Sequence, residues 1–350
     1  MVEIYINGKK FIVSKKKLLI DIIKSKNIHI PTLCYEKNLS EYSGCRLCLI
    51  EIKNKKKIVT SCSTYPEQGM VIETDSKKII FARKKILELI VSNHKADCLS
   101  CYKSGSCKLQ YYCFKYNVKQ TYNKVYKNYR IDDNNPFIIR DKNKCILCGK
   151  CVRICQEVQV TNAINFNDRG YKTNIGCFLN LDINKYDCRF CGQCIEVCPT
   201  GALINKQFYN MKIKEKEVKK IKTTCPFCGV GCNFDLNVKN NKIIGVTGNK
   251  NSIVNGNSIC VKGRYHTDML NSEKRITYPM IKINNKWEKT SYKYAINYIV
   301  KNLKKILLKY GRESIAGLSS ARCTNEDNYI FQKFFRTVLK NNNIDHCART

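Results

Sequence analysis

The sequence predicts an α+β chain of several small domains, and three observations carry this prediction. The first residues alternate around Asn7-Gly8 and lead into an amphipathic segment. Cysteines then recur in groups whose spacing is typical of metal- or cluster-binding loops. Residues 277–350 predict a helix, a strand and a second helix in succession. With 350 residues and 43% apolar content, the chain is long enough for two or three domains with real cores.

Composition excludes several classes of protein. The net charge of +35 is compatible with a nucleic-acid-binding protein, but the lysines are spread over all segments. We therefore expect a solvated basic surface and no nucleic-acid binding. No run of about eighteen apolar residues exists, so no membrane insertion is expected. The 23 cysteines stand in a chain without an apolar leader. A reducing, cytoplasmic location is therefore predicted.

Residues 1–77 predict a β-grasp domain. Apolar residues alternate on both sides of Asn7-Gly8, which is a strong hairpin signal. Leu18 to Ile23 repeats at helical spacing, and Pro31 ends that element. A C-x10-C-x2-C-x13-C set follows, which can hold a [2Fe–2S] cluster or one zinc ion; its members are Cys34, Cys45, Cys48 and Cys62.

Residues 78–118 predict a second centre. A helix over 77–92 is expected because Ile79, Ile80, Ile86, Leu87, Leu89 and Ile90 form one broad apolar stripe. The helix leads into an H-x3-C-x2-C-x5-C set, which consists of His94, Cys98, Cys101 and Cys107. We interpret this set as ligands of a [4Fe–4S] cluster whose neutral imidazole raises the potential, with a Cys3His zinc site as the alternative. Residues 114–136 predict a linker.

Residues 137–207 carry two C-x2-C-x2-C-x3-C runs, typical of a two-cluster ferredoxin. In such runs the fourth cysteine binds the other cluster. One [4Fe–4S] set is therefore Cys145, Cys148, Cys151 and Cys198, and its twin is Cys155, Cys188, Cys191 and Cys194. Gly149 and Gly192 are expected to open the ligand loops. Paired zinc sites are the alternative. Cys113 and Cys177 are predicted to be free thiols.

Residues 206–222 predict a lysine-rich linker, and a small β-domain is expected over 219–276. Asn233 to Val246 alternates around Asn240-Asn241, which indicates a hairpin. The sequence CPFCGVGC and a later cysteine predict another [4Fe–4S] or zinc site, with ligands Cys225, Cys228, Cys232 and Cys260. Gly229 and Gly231 are expected to open this loop. Lys262 lies two residues after the last ligand.

Residues 277–350 predict the start of an α/β domain. A helix is expected over Tyr292–Tyr310 with Gly311 as its C-terminal cap, followed by a strand over 315–319. A second helix is expected over about 326–339.

The order of these motifs resembles the alpha subunit of NAD-linked formate dehydrogenases, within the molybdopterin oxidoreductase family. The first three modules are also similar to iron-only hydrogenases and, with weakening similarity at the twin domain, to an iron–sulfur subunit of respiratory complex I. The motif CPFCGVGC with Cys260 and Lys262 looks like the start of a molybdopterin oxidoreductase. The tail SSARCTNEDNYIFQKF…NNNIDHCART is very similar to formate dehydrogenases.

The resemblance implies one [2Fe–2S] and four [4Fe–4S] clusters on the nineteen cysteines and one histidine named above, and a Mo- or W-bis-molybdopterin guanine dinucleotide in the full-length enzyme. It implies that Lys262 relays electrons between the last cluster and a pterin. Formate is the implied substrate. The implied partner is a flavin- and NAD(P)-reducing iron–sulfur subunit or ferredoxin.

In that family, the residue after the stretch matching His346 to Thr350 is the cysteine or selenocysteine that binds the metal. We therefore expect that the next codon is UGA, that this chain is the N-terminal part of a longer enzyme, and that it is inactive as written. The alternative is a stand-alone five-cluster electron-transfer subunit of a hydrogenase or a complex I-like NADH dehydrogenase.

Overall fold

The computed structural model describes residues 1–119, 128–177 and 187–346. Part of the predicted linker 114–136 and the stretch 347–350, on which the expectation of a following metal ligand falls, lie outside these residues. Within the described ranges, no helix is both long and apolar enough to cross a lipid bilayer.

The N-terminal unit is a five-stranded sheet in the order β2-β1-β5-β3-β4, with β1 and β5 parallel. The predicted hairpin and the helix after it are both present, and the helix buries Leu19, Ile20 and Ile23 against the sheet. The elements are β1 Val2–Ile6, β2 Lys9–Val13, α1 Leu19–Ser25, β3 Leu49–Ile52, β4 Lys57–Thr60 and β5 Met70–Glu73.

Two helices follow, α2 over Lys77–Ser92 and α3 over Lys108–Lys115. The side chain of Ser76 accepts a hydrogen bond from the backbone of Ile79 and so caps α2, whose bounds are those predicted. The expected broad stripe is wrong in part, because Ile80 is 44% and Leu89 53% exposed. The buried line instead runs through Ile79, Arg83 and Leu87, which lie four residues apart.

The region of the two cysteine runs is built from short elements around a common core. Its two-stranded sheets pair β6 with β9 and β7 with β8, both antiparallel. The elements are β6 Ile138–Arg140, α4 Lys150–Arg153, β7 Asn165–Asn167, β8 Asn174–Gly176, α5 Gln193–Val197, β9 Leu203–Asn205 and α6 Lys206–Asn210.

A three-stranded antiparallel sheet follows, made of β10 Lys219–Thr224, β11 Asn233–Lys239 and β12 Lys242–Gly248. The short helix α7 Val261–Tyr265 comes after Cys260. The predicted linker 206–222 is wrong, since it contains α6 and most of β10. The backbone of β10 pairs with β11 along its length, which outweighs the weak strand preference of its lysines.

The last described elements are β13 Met280–Ile283, β14 Lys286–Lys289, α8 Tyr292–Tyr310, β15 Gly317–Ser319, α9 Asn325–Lys333 and β16 Ile344–His346. The helix α9 continues as wider turns over Phe334–Leu339, in agreement with the predicted end near residue 339. The strands β15 and β16 are parallel. No residue of α8 is buried, and Ile296 on its apolar side is 55% exposed.

Candidate metal centres

The first cysteine group comes from two segments: Cys34, Cys45 and Cys48 lie between α1 and β3, and Cys62 follows β4. All four cysteines are buried. The Sγ atoms of Cys48 and Cys62 are 3.2 Å apart. The backbone N–H of Cys45 donates to Cys34 Sγ over 3.5 Å. A further N–H, that of Leu33, donates to Cys45 Sγ over 3.4 Å. The structure therefore places the four residues in one buried region as two contacting pairs, Cys34 with Cys45 and Cys48 with Cys62, and backbone donors are directed at the sulfur atoms of the first pair.

The ligand loop of this group is shaped by two residues in the left-handed region, Ser43 at φ 54° and Arg46 at φ 55°. These turns direct N–H groups inward, as an anionic sulfur site requires. The hydrogen bond between Cys48 and Cys62 lowers the pKa of the Cys48 thiol, whereas the pKa values of the Cys34, Cys45 and Cys62 thiols are raised. The thiolate is the form that binds metal.

His94 has the features of a ligand at the second group. The ring is buried, and its Nδ1 atom has no hydrogen-bond partner in the protein. Burial, together with the charge of Lys144, lowers the pKa of His94, so the imidazole is neutral. The backbone of Lys144 also interacts with the ring. A neutral imidazole with one vacant nitrogen and one oriented by the backbone suits metal ligation.

The second group lies against the twin domain. The Sγ atom of Cys107 is 3.6 Å from the carbonyl oxygen of Pro199, and the backbone N–H of Lys108 donates to the same oxygen over 3.2 Å. A Cβ atom on Gly201 would lie 2.7 Å from Cys101 Sγ. The cysteines of this group are therefore packed on the turn that follows Cys198.

The eight cysteines of the twin domain line two adjoining cavities of about 40 and 30 Å³. Apart from Cys194, which lines both, the cysteines divide into the two sets predicted. The first cavity contains Cys145, Cys148, Cys151 and Cys198, and the second contains Cys155, Cys188, Cys191 and Cys194. Each set therefore includes one cysteine from the opposite run.

The two ligand loops of this domain repeat one backbone conformation. Leu147 and Gly149 have φ of 53° and 67°, and the equivalent Phe190 and Gly192 have φ of 50° and 69°. The glycines were expected from the sequence, but the left-handed Leu147 and Phe190 were not. In the first loop the N–H of Leu147 donates to Cys145 Sγ over 3.4 Å.

The last cysteine group, which begins at Cys225, is more exposed than the others. Cys225 is buried, Cys232 is half-buried, and Cys228 and Cys260 are exposed. The N–H of Cys225 donates to the carbonyl of Cys232 over 2.7 Å. Gly231 has φ 68°, as expected, whereas Gly229 does not have a positive φ, so the expectation for that glycine is wrong. Lys262 is exposed on α7.

Arginine side chains connect the groups. Arg264 of α7 donates from Nε to the carbonyl of Cys191 over 2.7 Å and contacts Glu196 through Nη1. Arg153 of α4 donates from Nη2 to the carbonyl of Cys34 over 2.6 Å. The region of the Cys225 group thus docks on the twin domain beside Cys191. The Cys34 loop docks on the same domain at α4.

Sequence reasoning missed Arg83, Arg153 and Arg264. Arg83 is fully buried and donates to the carbonyls of Leu47 and Leu49 over 3.1 and 2.7 Å, so it holds the loop containing Cys48. Its position on the line of Ile79 and Leu87 was the signal available, since a charged residue on an apolar helix face requires buried partners.

At the chain's end, a cavity of about 490 Å³ lies by β15 and β16, lined by Ser319, Ser320, Arg336 and His346 among others. It lies at the carboxyl ends of parallel strands, where ligands of α/β sheets commonly bind. Among the described residues, no three His, Cys, Asp or Glu side chains converge as for a single metal ion, and this includes the cysteine groups, whose members approach one another without forming a closed set of ligands.

Five family models match the chain in succession. They are a 2Fe-2S iron-sulfur cluster binding domain (1–77), the NADH-ubiquinone oxidoreductase-G iron-sulfur binding region (83–121), the NADH-quinone oxidoreductase subunit 3 ferredoxin-like domain (135–204), the molybdopterin oxidoreductase Fe4S4 domain (218–272) and molybdopterin oxidoreductase (275–350). The third match extends the similarity to NADH-quinone oxidoreductase through the twin domain, contrary to the expected weakening there.

The NADPH-Fe(3+) oxidoreductase subunit alpha of Geobacter sulfurreducens is 36% identical over the whole chain, which covers 40% of that protein. A Staphylococcus aureus protein provisionally named a formate dehydrogenase is 29% identical over 98% of the chain and 39% of its own length. The chain thus spans about 40% of the length of these relatives.

The crystal structure of an NAD+-reducing [NiFe]-hydrogenase in the H2-reduced state shares the fold over 59% of the chain and 87% of its own, with a TM-score of 0.55 and 23% identity. Together with the family models, this likeness agrees with the geometry of the cysteine groups. The chain is a mixed α/β protein that carries 2Fe-2S, 4Fe-4S ferredoxin-like and molybdopterin oxidoreductase domains.

Proposed function

We propose that this chain is the electron-transfer part of a formate dehydrogenase alpha subunit. Its role would be to carry electrons from formate oxidation at a Mo- or W-bis-molybdopterin guanine dinucleotide to an NAD(P)-reducing partner. The matched domains support an iron–sulfur module of a molybdopterin oxidoreductase or NADH dehydrogenase-like subunit. Formate as the substrate is the further step that we propose.

The continuous series of contacts between the ligand groups is the observation that carries the proposal. Arg264 joins the Cys225 group to Cys191, and the two cavities of the twin domain adjoin through Cys194. From there Pro199 contacts Cys107, and Arg153 contacts the Cys34 loop. Such a series suits electron transfer because neighbouring carriers must lie close together.

We assign one [2Fe–2S] cluster to the Cys34 group and one [4Fe–4S] cluster to each of the other four sets. When bound, these clusters would supply one-electron carriers. The protein's part is to hold each cluster with thiolates, direct N–H groups at sulfur and exclude water from the buried groups. Lys262, which is exposed two residues after Cys260, is assigned the relay to a pterin.

Formate-dependent reduction of the clusters tests the substrate. The intact protein, isolated anaerobically with its partners, is mixed with formate, and the cluster signals are followed by electron paramagnetic resonance. Reduction by formate and not by acetate supports the proposal. Reduction by NADH or hydrogen but not by formate contradicts it.

The second candidate is an electron-transfer subunit of a hydrogenase or a complex I-like dehydrogenase. The shared fold with the NAD+-reducing hydrogenase favours it, and so do the two NADH oxidoreductase matches within residues 83–204. The molybdopterin oxidoreductase matches over 218–272 and 275–350 favour the first candidate. Molybdenum or tungsten in the intact protein would separate the two.

A further inference from the structure

A polar cavity of about 420 Å³ lies where four parts of the chain meet. Glu36 reaches it from the N-terminal unit, Lys108 from α3, Lys150 from the twin domain, and Lys250 and Arg264 from the region of the β10–β12 sheet. A cavity of this volume can hold a small ligand. We call it the junction cavity.

The wall of the junction cavity has an excess of positive charge. Six of its lining side chains are basic and four are acidic. Lys150 pairs with Glu36 over 2.6 Å, and Lys103 with Glu215 over 2.6 Å. Lys220 shares Glu215, and Arg264 contacts Glu196. Lys108 and Lys250 form no ion pair with any residue in the described ranges.

The charges of Lys108 and Lys250 both act on the carboxylate of Glu36. Burial raises the pKa of Glu36, but the charges of Lys150, Lys250 and Lys108 outweigh it and hold that pKa below its usual value. Three lysines and the Glu36 carboxylate thus share the wall of one cavity. Like charges gathered in this way repel one another, so a further anion among them would be stabilised.

We propose that the junction cavity binds a phosphate-bearing anion, held by the ammonium groups of Lys108 and Lys250. Lysine supplies point charges that match the oxygens of a phosphate group. The ligand would join α3 to the region of the β10–β12 sheet and so stabilise their docking. This site goes beyond the proposed electron transfer and does not require formate as the substrate.

The site lies beside both sets of the twin domain, since Cys198 and Pro199 line the cavity and Arg264 contacts Cys191. A bound anion would oppose the uptake of an electron there, so it is expected to lower the midpoint potential of the adjacent clusters. By linkage, reduction of those clusters would weaken anion binding by the same factor.

The test uses the full chain with its clusters reconstituted. Inorganic phosphate, diphosphate and ADP are added separately, each against sodium chloride at the same ionic strength. We expect the phosphate compounds to raise the unfolding midpoint by a few degrees where chloride does not. They are also expected to lower the potential of a twin-domain cluster. A stronger response to ADP than to diphosphate would identify a nucleotide, and equal responses would identify the free phosphate group.

The variant Lys108→Gln/Lys250→Gln should lose both responses. Both side chains are exposed, so the variant should fold, and its iron content checks this. The matched control, Lys15→Gln/Lys57→Gln, removes two exposed lysines of the N-terminal unit and should respond like the wild type. Lysines that merely offset cluster charge would shift the potentials when replaced but give no response to phosphate in the wild type. That result, or a double variant that still responds, would overturn the proposal.

Discussion

Arg264 and Cys191 are joined by a 2.7 Å hydrogen bond from the guanidinium Nε to the backbone carbonyl, across 73 positions of sequence. The same guanidinium contacts Glu196, and Glu196 accepts from the backbone of Gly248 over 2.9 Å. Nearby, Tyr265 stacks on Phe137 with ring centroids 4.3 Å apart. These contacts dock the β10–β12 unit on the twin domain.

Replacing Arg264 by Met is expected to weaken this docking. The change leaves Glu196 without its partner, and removing one member of a buried ion pair costs about 3–5 kcal/mol. Limited proteolysis in 206–222 should become markedly faster, and electron transfer between the Cys225 group and the twin domain should slow. Arg312→Met, on an exposed residue outside this interface, is the control. Unchanged proteolysis of Arg264→Met would contradict the docking role.

Arg83→Met is expected to destabilise the first cluster group. The change removes the donors to the Leu47 and Leu49 carbonyls and leaves these buried oxygens unsatisfied, at about 1–3 kcal/mol each. Under mild chelation, the variant should lose the [2Fe–2S] absorption and resonance signals faster than the wild type. Its [4Fe–4S] signals should persist. Lys78→Met, exposed on the same helix, should behave like the wild type.

Gly201→Ala should disturb the His94 group although none of its ligands is replaced. The added methyl would lie 2.7 Å from Cys101 Sγ, too close for an undisturbed contact. Overpacking of this kind costs about 1–3 kcal/mol. The resonance of one [4Fe–4S] cluster should shift or disappear. Gly229→Ala, where the new methyl meets nothing within 4 Å, provides the control.

Metal analysis tests the ligand assignment. One [2Fe–2S] and four [4Fe–4S] clusters require about 18 iron atoms per chain and no zinc. Cys198→Ser should lose about four of them, if the remaining ligands release the cluster. Cys113→Ser should lose none, because burial raises the pKa of that thiol to about 12 and it belongs to no predicted group. Stoichiometric zinc in place of iron would overturn the assignment.

Glu215→Gln should destabilise the packing of residues 98–107 by about 1–3 kcal/mol. Burial opposes both charges of the pair, yet Lys103 and Ser106 lower the pKa of Glu215 and Glu215 raises that of Lys103. The Glu215 contribution is lost only as pH falls through its lowered pKa, and the Lys103 contribution only as pH rises through its raised one. The difference in unfolding midpoint between variant and wild type should therefore be constant from about pH 6 to 9. A marked slope in that window would contradict the pairing.

The sequence predicted the elements that have a clear local period. Both α2 and α8 begin and end where the apolar spacing predicts, and Gly311 is the C-terminal cap of α8 as expected. Strand β10 was not predicted because its lysines have a weak strand preference, and its pairing with β11 is not visible in the local sequence. The cysteine groups were recognisable because ligand spacing is itself local.

Other parts of the site could not be predicted from the sequence. Leu147 and Phe190 adopt a left-handed conformation that their side chains do not favour, so the loop around them must impose it. The backbone carbonyl groups to which Arg83, Arg153 and Arg264 donate lie between 34 and 119 positions away. No local pattern encodes such contacts.

The exchange of one cysteine between the two runs of the twin domain bears on how this domain is assembled. Cys155 follows Cys151 on the same helical segment, yet the two residues line different cavities. Under the proposed ligation, neither cluster can be completed until both halves of the domain are in place. Cluster insertion should therefore wait until the two halves have docked, and a fragment that carries only one of the two cysteine runs should retain neither cluster.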